Sequence, residues 1–251
     1  MLDRQIDSFA DFHQLVSEYE PGTGLGWCYR GQANFEWELI PKAGRADYFV
    51  PIRDSFAHDL GSFCQWRERA VAFVDALPEA DLECLAVAQH HGLATRLLDW
   101  SLNPLVALYF AAKDETDRDG AVFAFLPGMV AQPQLRIEEI TSVAVYFPRP
   151  VTRRILAQRG VFTIHPQPNV PLAATTLSGL VRQLLAVEEN LLRIRIPFQL
   201  KTSLMKKLDN YGINEVTLFP DLDGLSEHVN WSSRAFAELI PRTTHVDRMT
   251  D

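Results

Sequence analysis

The chain has 251 residues, 47% of them hydrophobic and 22% charged. Those are ordinary globular proportions, at a length that buries a real core as one large domain or two small ones. A net charge of −8 and a pI near 5.4 disfavour general binding along a nucleic-acid backbone and leave a local basic patch open.

The three cysteines, Cys28, Cys64 and Cys84, are odd in number, far apart and without CxxC spacing. They suit neither a disulfide framework nor a zinc motif and point to a reducing compartment. The N-terminus carries no apolar leader, and no apolar run reaches the length of a membrane span, so the expected location is cytoplasmic.

In chain order, Ser8 caps a short helix through Val16, which Pro21 to Gly24 would end. Trp27 to Gln32 reads as an aromatic-rich strand closing on Gly31, with Phe35, Trp37, Leu39 and Ile40 continuing in partial alternation to Pro41. Residues 52 to 77 have helical spacing, with Phe56, Leu60, Phe63, Ala70, Phe73 and Val74 as core contacts, and a further helix runs from Asp81 to His90. The stretch from Gln89 to Ser101 is dense in His, Arg, Asp and Trp. It then turns apolar into a helix, with Asn103 or Ser101 as cap and Pro104 in the first turn.

Asp114 to Gly120 is a charged turn. Ala121–Leu126, Ile140–Phe147 and Gly160–Ile164 are strand-like, and Val151–Gln158 is helical between the last two. His165 to Ala174 is an internal loop with three prolines, and Leu177–Leu185 a short helix. Leu191 to Pro197 alternates with period two as a strand. Lys201–Tyr211 is a helix stopped by Gly212. Val216–Pro220 is expected to be a last strand, and Leu222–Trp231 a terminal helix before a polar tail from Pro241. The irregular interleaving predicts one α+β domain over residues 1–251, with a small mixed sheet split around a cleft and helices around it.

Four separated segments carry a family resemblance. Tyr29-Arg30-Gly31-Gln32, followed by Trp37, Leu39, Pro41 and Arg45, resembles the opening of the FRG domain family. Gln89-His90-His91-Gly92-Leu93-Ala94-Thr95-Arg96-Leu97-Leu98-Asp99-Trp100-Ser101 resembles that family's most recognisable block. Ala157 to Phe162 and Leu218 to Gly224 are similar to its later blocks, so the resemblance runs from about residue 25 to 230.

A weaker resemblance is to the Arg-Ser-Glu class of ADP-ribosyltransferases. The aromatic-Arg-Gly strand end resembles that class's first motif, and Ala94-Thr95, then Ala107 and Phe110, resemble its Ser/Thr strand and Ala-x-x-Phe helix. The resemblance implies an ADP-ribosyltransferase-like fold that binds NAD or a related nucleotide, without a metal. It also implies a macromolecular acceptor in a toxin or phage-defence setting. Gln158-Arg159-Gly160 resembles the class's Gln-x-Glu motif but departs from it, since Gly160 stands at the glutamate position. Glycine cannot polarise a ribose hydroxyl or stabilise an oxocarbenium ion.

On this reading Tyr29, Arg30, Gly31, Gln32, Thr95, Arg96, Asp99, Trp100 and Ser101 bind the ligand. His91, Gln158 and Glu215 (ahead of the Val216–Pro220 strand) are the polar catalytic candidates. Bland readings stand beside these. Arg30 pairs with Asp99, Arg96 pairs with Asp99 or Asp221 to fix the loop, and Trp100 packs in the core. Only one of His90 and His91 can face a site, and no HExxH spacing supports a metal. Asp221 caps the last helix rather than opening a calcium loop. The competing functions are a non-catalytic nucleotide- or protein-binding module and a metal-dependent nuclease-like hydrolase built on His91 and Asp99.

Overall fold

The computed structural model describes residues 1–18, 26–50, 58–149, 152–177 and 188–237. The predicted turn Pro21 to Gly24, the start of the 52–77 helix with Phe56, nearly all of Leu177–Leu185 and the tail from Pro241 lie outside the described residues. Among the described residues, seven strands form one sheet: β1 (Leu2–Gln5), β2 (Cys28–Gln32), β3 (Leu97–Ser101), β4 (Gly120–Phe125), β5 (Ala144–Tyr146), β6 (Gly160–Ile164) and β7 (Leu191–Ile196), in the order β1-β7-β4-β2-β3-β6-β5. The β1–β7 pairing is parallel and the other pairings are antiparallel, so the sheet is mixed, as expected, and larger than the sequence suggested.

The helices are α1 (Phe9–Glu18), α2 (His58–Ala70), α3 (Asp81–His90), α4 (Pro104–Ala112), α5 (Arg153–Ala157), α6 (Phe198–Asn210), α7 (Glu215–Leu218) and α8 (Leu222–Ala237). No helix among the described residues is long and apolar enough to cross a membrane.

The sheet has a seam. β2 registers with β4 along its whole length, from Cys28↔Phe125 to Gln32↔Ala121, and β3 registers with β6 from Leu97↔Ile164 to Ser101↔Gly160. Between them, β2 and β3 share only the pair Tyr29↔Ser101. Arg96 and Leu102, flanking β3, exchange backbone hydrogen bonds with the β6 side. In an antiparallel ladder such groups alternate, so Asp99 turns its peptide edge the other way, into the gap.

Helices pack on one face of the two half-sheets. α1, α4 and α6 bury their apolar sides against Tyr29, Val122, Ala124, Ile194 and Ile196. α2 and α3 bury theirs against Leu97, Phe162, Ile164 and Tyr146. The opposite face holds a third cluster around Leu98, Trp100, Phe123 and Phe125, with Phe35 and Leu39 folded over it. α4 sits closest of all. A Cβ on Gly31 would lie 1.8 Å from the Ala107 carbonyl oxygen, so the absent side chain at Gly31 is what lets the helix meet the strand. Lys201 of α6 is fully buried and donates to the carbonyls of Ala33, Asp114 and Glu115 at 2.7, 2.8 and 2.8 Å, tying the exit of β2 to the charged turn.

Several expectations need correction. Val216–Pro220 is not a strand: Asn214 accepts from the Thr217 amide at 3.1 Å, and this cap turns Glu215–Leu218 into helix. Phe35 to Ile40 form turns rather than strand, because Phe35 and Leu39 leave the ladder to cover the far face of the sheet. α2 stops at Ala70, and Phe73 is 85% exposed rather than core. The Ile140–Phe147 strand shrinks to β5, and α8 outruns its expected end. β1 carries no hydrophobic alternation to reveal it. It pairs in parallel with β7, and Asp3 reinforces the pairing by receiving Arg193 in two hydrogen bonds of 3.0 and 2.7 Å. Asp221 does cap α8, accepting from the Gly224 amide at 2.8 Å.

Candidate functional site

Above the seam, between α3 and α4, lies a cavity of about 380 Å³. Its walls alternate by element. β2 contributes Tyr29, Arg30 and Gly31, and β3 contributes residues on both sides of Asp99. α3 supplies Gln89 and His90, and α5 with its exit supplies Arg154 and Gln158.

Arg30 enters the gap where β2 and β3 part. Its Nη1 donates to the Asp99 carbonyl at 2.8 Å and lies 3.9 Å from the Asp99 carboxylate, while its Nε is buried without a partner. Burial pulls the guanidinium below its usual arginine range, Asp99 opposes the shift, and nearby Arg45 adds to it. Two arginines close enough to repel in a partly dry site leave fork-shaped donors suited to an anion.

Asp99 is held from the other side by a relay. The buried Thr95 hydroxyl donates to Gln89 Oε1 and accepts from the Leu97 amide, which fixes which end of Gln89 faces outward. Gln89 Nε2 then donates to Asp99 Oδ1 at 2.8 Å. The Asp99 side chain is itself 66% exposed, and among the described residues it is the only carboxylate lining the cavity.

The remaining charges on the wall are positive: Arg30, Lys42, Arg45 and Arg154. Lys42 Nζ donates to the Gly92 carbonyl at 3.0 Å and stands over the Tyr48 ring. Arg154 stacks 4.6 Å from the Phe219 ring centroid. His90 lines the same wall, and burial, His91 and Arg154 all lower its pKa.

The sequence candidates distribute as follows. Tyr29, Arg30, Gly31, Asp99, Trp100, Ser101 and Gln158 line the cavity, though the Trp100 ring packs into the far-face core. Ser101 donates to the Gln158 carbonyl at 2.7 Å, joining β3 to the turn before β6. Thr95 acts one step back, through Gln89. Gln32 is buried and donates to the Glu38 carbonyl, away from the cavity.

Arg96 pairs with neither Asp99 nor Asp221. It makes a two-bond contact to Asp59 of α2 at 2.8 and 2.9 Å, both side chains 5% exposed. His91 closes α3, exposed and outside the lining, whereas His90 is inside it. Glu215 is buried beneath α4, accepting from the Tyr109 hydroxyl at 2.8 Å, and does not reach the cavity.

Sequence reasoning passed over Lys42 and Arg154 and valued Arg45 only as part of a family pattern. The available signal was spacing. Lys42 and Arg45 sit three apart in a turn after Pro41, and the Ala43 amide binds the Thr95 carbonyl at 3.1 Å. Arg154 stands four residues before Gln158, one helical turn away on the same face.

Behind the site, Trp100 Nε1 donates to Thr163 at 2.9 Å, and the Thr163 hydroxyl meets His165 Nε2 at 3.0 Å. Trp100 can only donate, so the Thr163 oxygen accepts there, and its hydroxyl also contacts the buried His165 ring. Burial, then Arg30 and Arg96, push the His165 pKa down to about 4 from 6.5. The unfolded chain therefore binds this proton first as pH falls. The stabilisation is complete above pH 6.5 and drains away down to about pH 4, by about 3 kcal/mol. Denaturant titrations across that window should show a flatter pH dependence for His165→Gln than for the wild type, and equal slopes would contradict it.

No curated protein and no solved structure matches the chain. The family model of the FRG domain matches residues 26–120, the segment that runs from β2 through α4 and supplies Arg30, Lys42, Arg45, Gln89, His90 and Asp99. That segment of the chain is similar to the FRG domain.

Proposed function

We propose that the cleft binds a phosphate-bearing nucleotide, NAD in the first instance, in a divergent ADP-ribosyltransferase-like arrangement. The observation that carries this reading is the charge of the wall. Four cations face one carboxylate in a cavity belonging to a chain of net charge −8. Cations gathered against the protein's overall charge favour an anionic ligand and focus it into the cleft. Arg30 and Arg45 would hold phosphate oxygens, and the apolar walls at Leu93, Phe110 and Phe162 would take a ring. The cavity suits one phosphate-ribose end of such a ligand, with the remainder crossing the mouth. The proposed acceptor is a macromolecule.

Gly160 favours a second reading. It begins β6 in the cavity wall, so the motif's glutamate position contributes no side chain there. A non-catalytic nucleotide-binding module would need none. A nuclease-like centre on His91 and Asp99 is not favoured, because only Asp99 lines the cavity. Nicotinamide release from NAD, measured for wild type and Arg30→Ala, separates the readings. Release by the wild type that is lost in the variant supports transferase-type chemistry. Saturable binding without release supports the module. Absence of both removes the nucleotide assignment.

A further inference from the structure

We propose that Asp99 is the catalytic carboxylate of this cleft, acting on the ribose carbon of a bound nicotinamide nucleotide; this rests on the nucleotide reading above. The position of the residue is unusual for an exposed aspartate. Its strand edge faces the gap between β2 and β3, and Arg30 binds its carbonyl at 2.8 Å. Its carboxylate is aimed by the buried Thr95 hydroxyl acting through Gln89. A solvated surface aspartate needs no such orientation, whereas a group that must meet a reacting atom does. Among the described residues it is also the one negative charge in a wall of cations, so it is the lining group whose charge suits a developing positive charge.

In the step assigned to it, the C1′–nitrogen bond breaks and nicotinamide leaves with the bonding electron pair. The oxygen of water, or of an acceptor hydroxyl, forms the new bond to C1′. An Asp99 oxygen takes that nucleophile's proton and returns it to solvent. With water, NAD and water become nicotinamide, ADP-ribose and one proton. The Asp99 charge faces the oxocarbenium character at C1′ while the bond is breaking. Gln89, which touches the carboxylate, and Thr95, which acts through Gln89, are positioning residues, since neither touches the reacting atoms.

The test measures ADP-ribose binding by calorimetry and nicotinamide release from NAD on the full chain, for wild type, Asp99→Asn, Thr95→Val and Thr95→Ser. We expect Asp99→Asn to bind ADP-ribose within about threefold of wild type while kcat falls at least about a hundredfold. Thr95→Val should lower kcat with KM little changed, and Thr95→Ser, which keeps the hydroxyl, should restore it. Turnover within threefold of wild type in Asp99→Asn overturns the role of Asp99 and leaves the ligand reading intact. Wild type that binds ADP-ribose but releases no nicotinamide overturns the catalytic role in favour of a binding module. Wild type that binds neither NAD nor ADP-ribose overturns both.

Discussion

Asp59→Ala is expected to lower the unfolding free energy by about 3–5 kcal/mol, because it strands a buried cation. Arg96 and Asp59 are each 5% exposed and meet through two hydrogen bonds. The remaining contact, Arg96 to the Pro166 carbonyl, is long at 3.4 Å and cannot replace a carboxylate. For a chain of this size the loss corresponds to a fall in Tm on the order of 10 °C, read by thermal unfolding. The pair joins α2 to the loop just before β3, so the damage reaches the neighbouring Thr95 and, through it, Gln89 and Asp99. Replacing both partners by apolar residues (Asp59→Leu with Arg96→Met) should recover much of the stability, since no charge is then left buried alone. A single-variant loss under about 1 kcal/mol would contradict this account of the loop.

Gly31→Ala should be comparably severe. A Cβ there would lie 1.8 Å from the Ala107 oxygen and 2.7 Å from the Ala111 nitrogen. These are backbone atoms of α4 and cannot rotate aside, so the helix must lift from β2. We expect a cost of about 3 kcal/mol or more, with ligand binding lost as the neighbouring Arg30 moves. Gly160→Ala is the contrast. Its Cβ would meet Ile155 atoms at 3.5 to 3.7 Å, which is ordinary contact. Its expected cost is under about 1 kcal/mol, although both glycines line the same cavity. Chemical denaturation of the two variants side by side checks the difference, and equal costs would contradict it.

The elements that were legible in the sequence are those whose local chemistry agrees with their tertiary role. Asn103 and Pro104 announced α4, and the alternation of Leu191 to Ile196 announced β7. Asp99 was legible as a partner for Arg30 across 69 residues, and Arg30 meets it chiefly through the backbone carbonyl, at 2.8 Å, with the carboxylate at 3.9 Å. What escaped was decided by distant contacts. β1 has no apolar face; it pairs in parallel with β7, nearly the whole chain away, where Asp3 also receives Arg193. Arg96 chose Asp59 over the nearer Asp99 because the Asp59 carboxylate is on α2, packed beneath the loop, while the Asp99 carboxylate turns to the cavity. Val216 to Phe219 has strand-like residues, but Asn214 caps it into a helix that buries Glu215 under Tyr109. The cations Lys42, Arg45 and Arg154 come from separate segments, and only folding shows that they surround one space.

The most direct test of the central claim is calorimetric titration of NAD and of ADP-ribose into wild type and Arg30→Gln, each at low and at high salt. The account predicts saturable binding to the wild type that weakens as salt rises. It also predicts a loss of about ten- to a hundredfold in Arg30→Gln, the weight of a charge-assisted contact. Equal affinity in the two proteins, or no binding of either compound by the wild type, would contradict it.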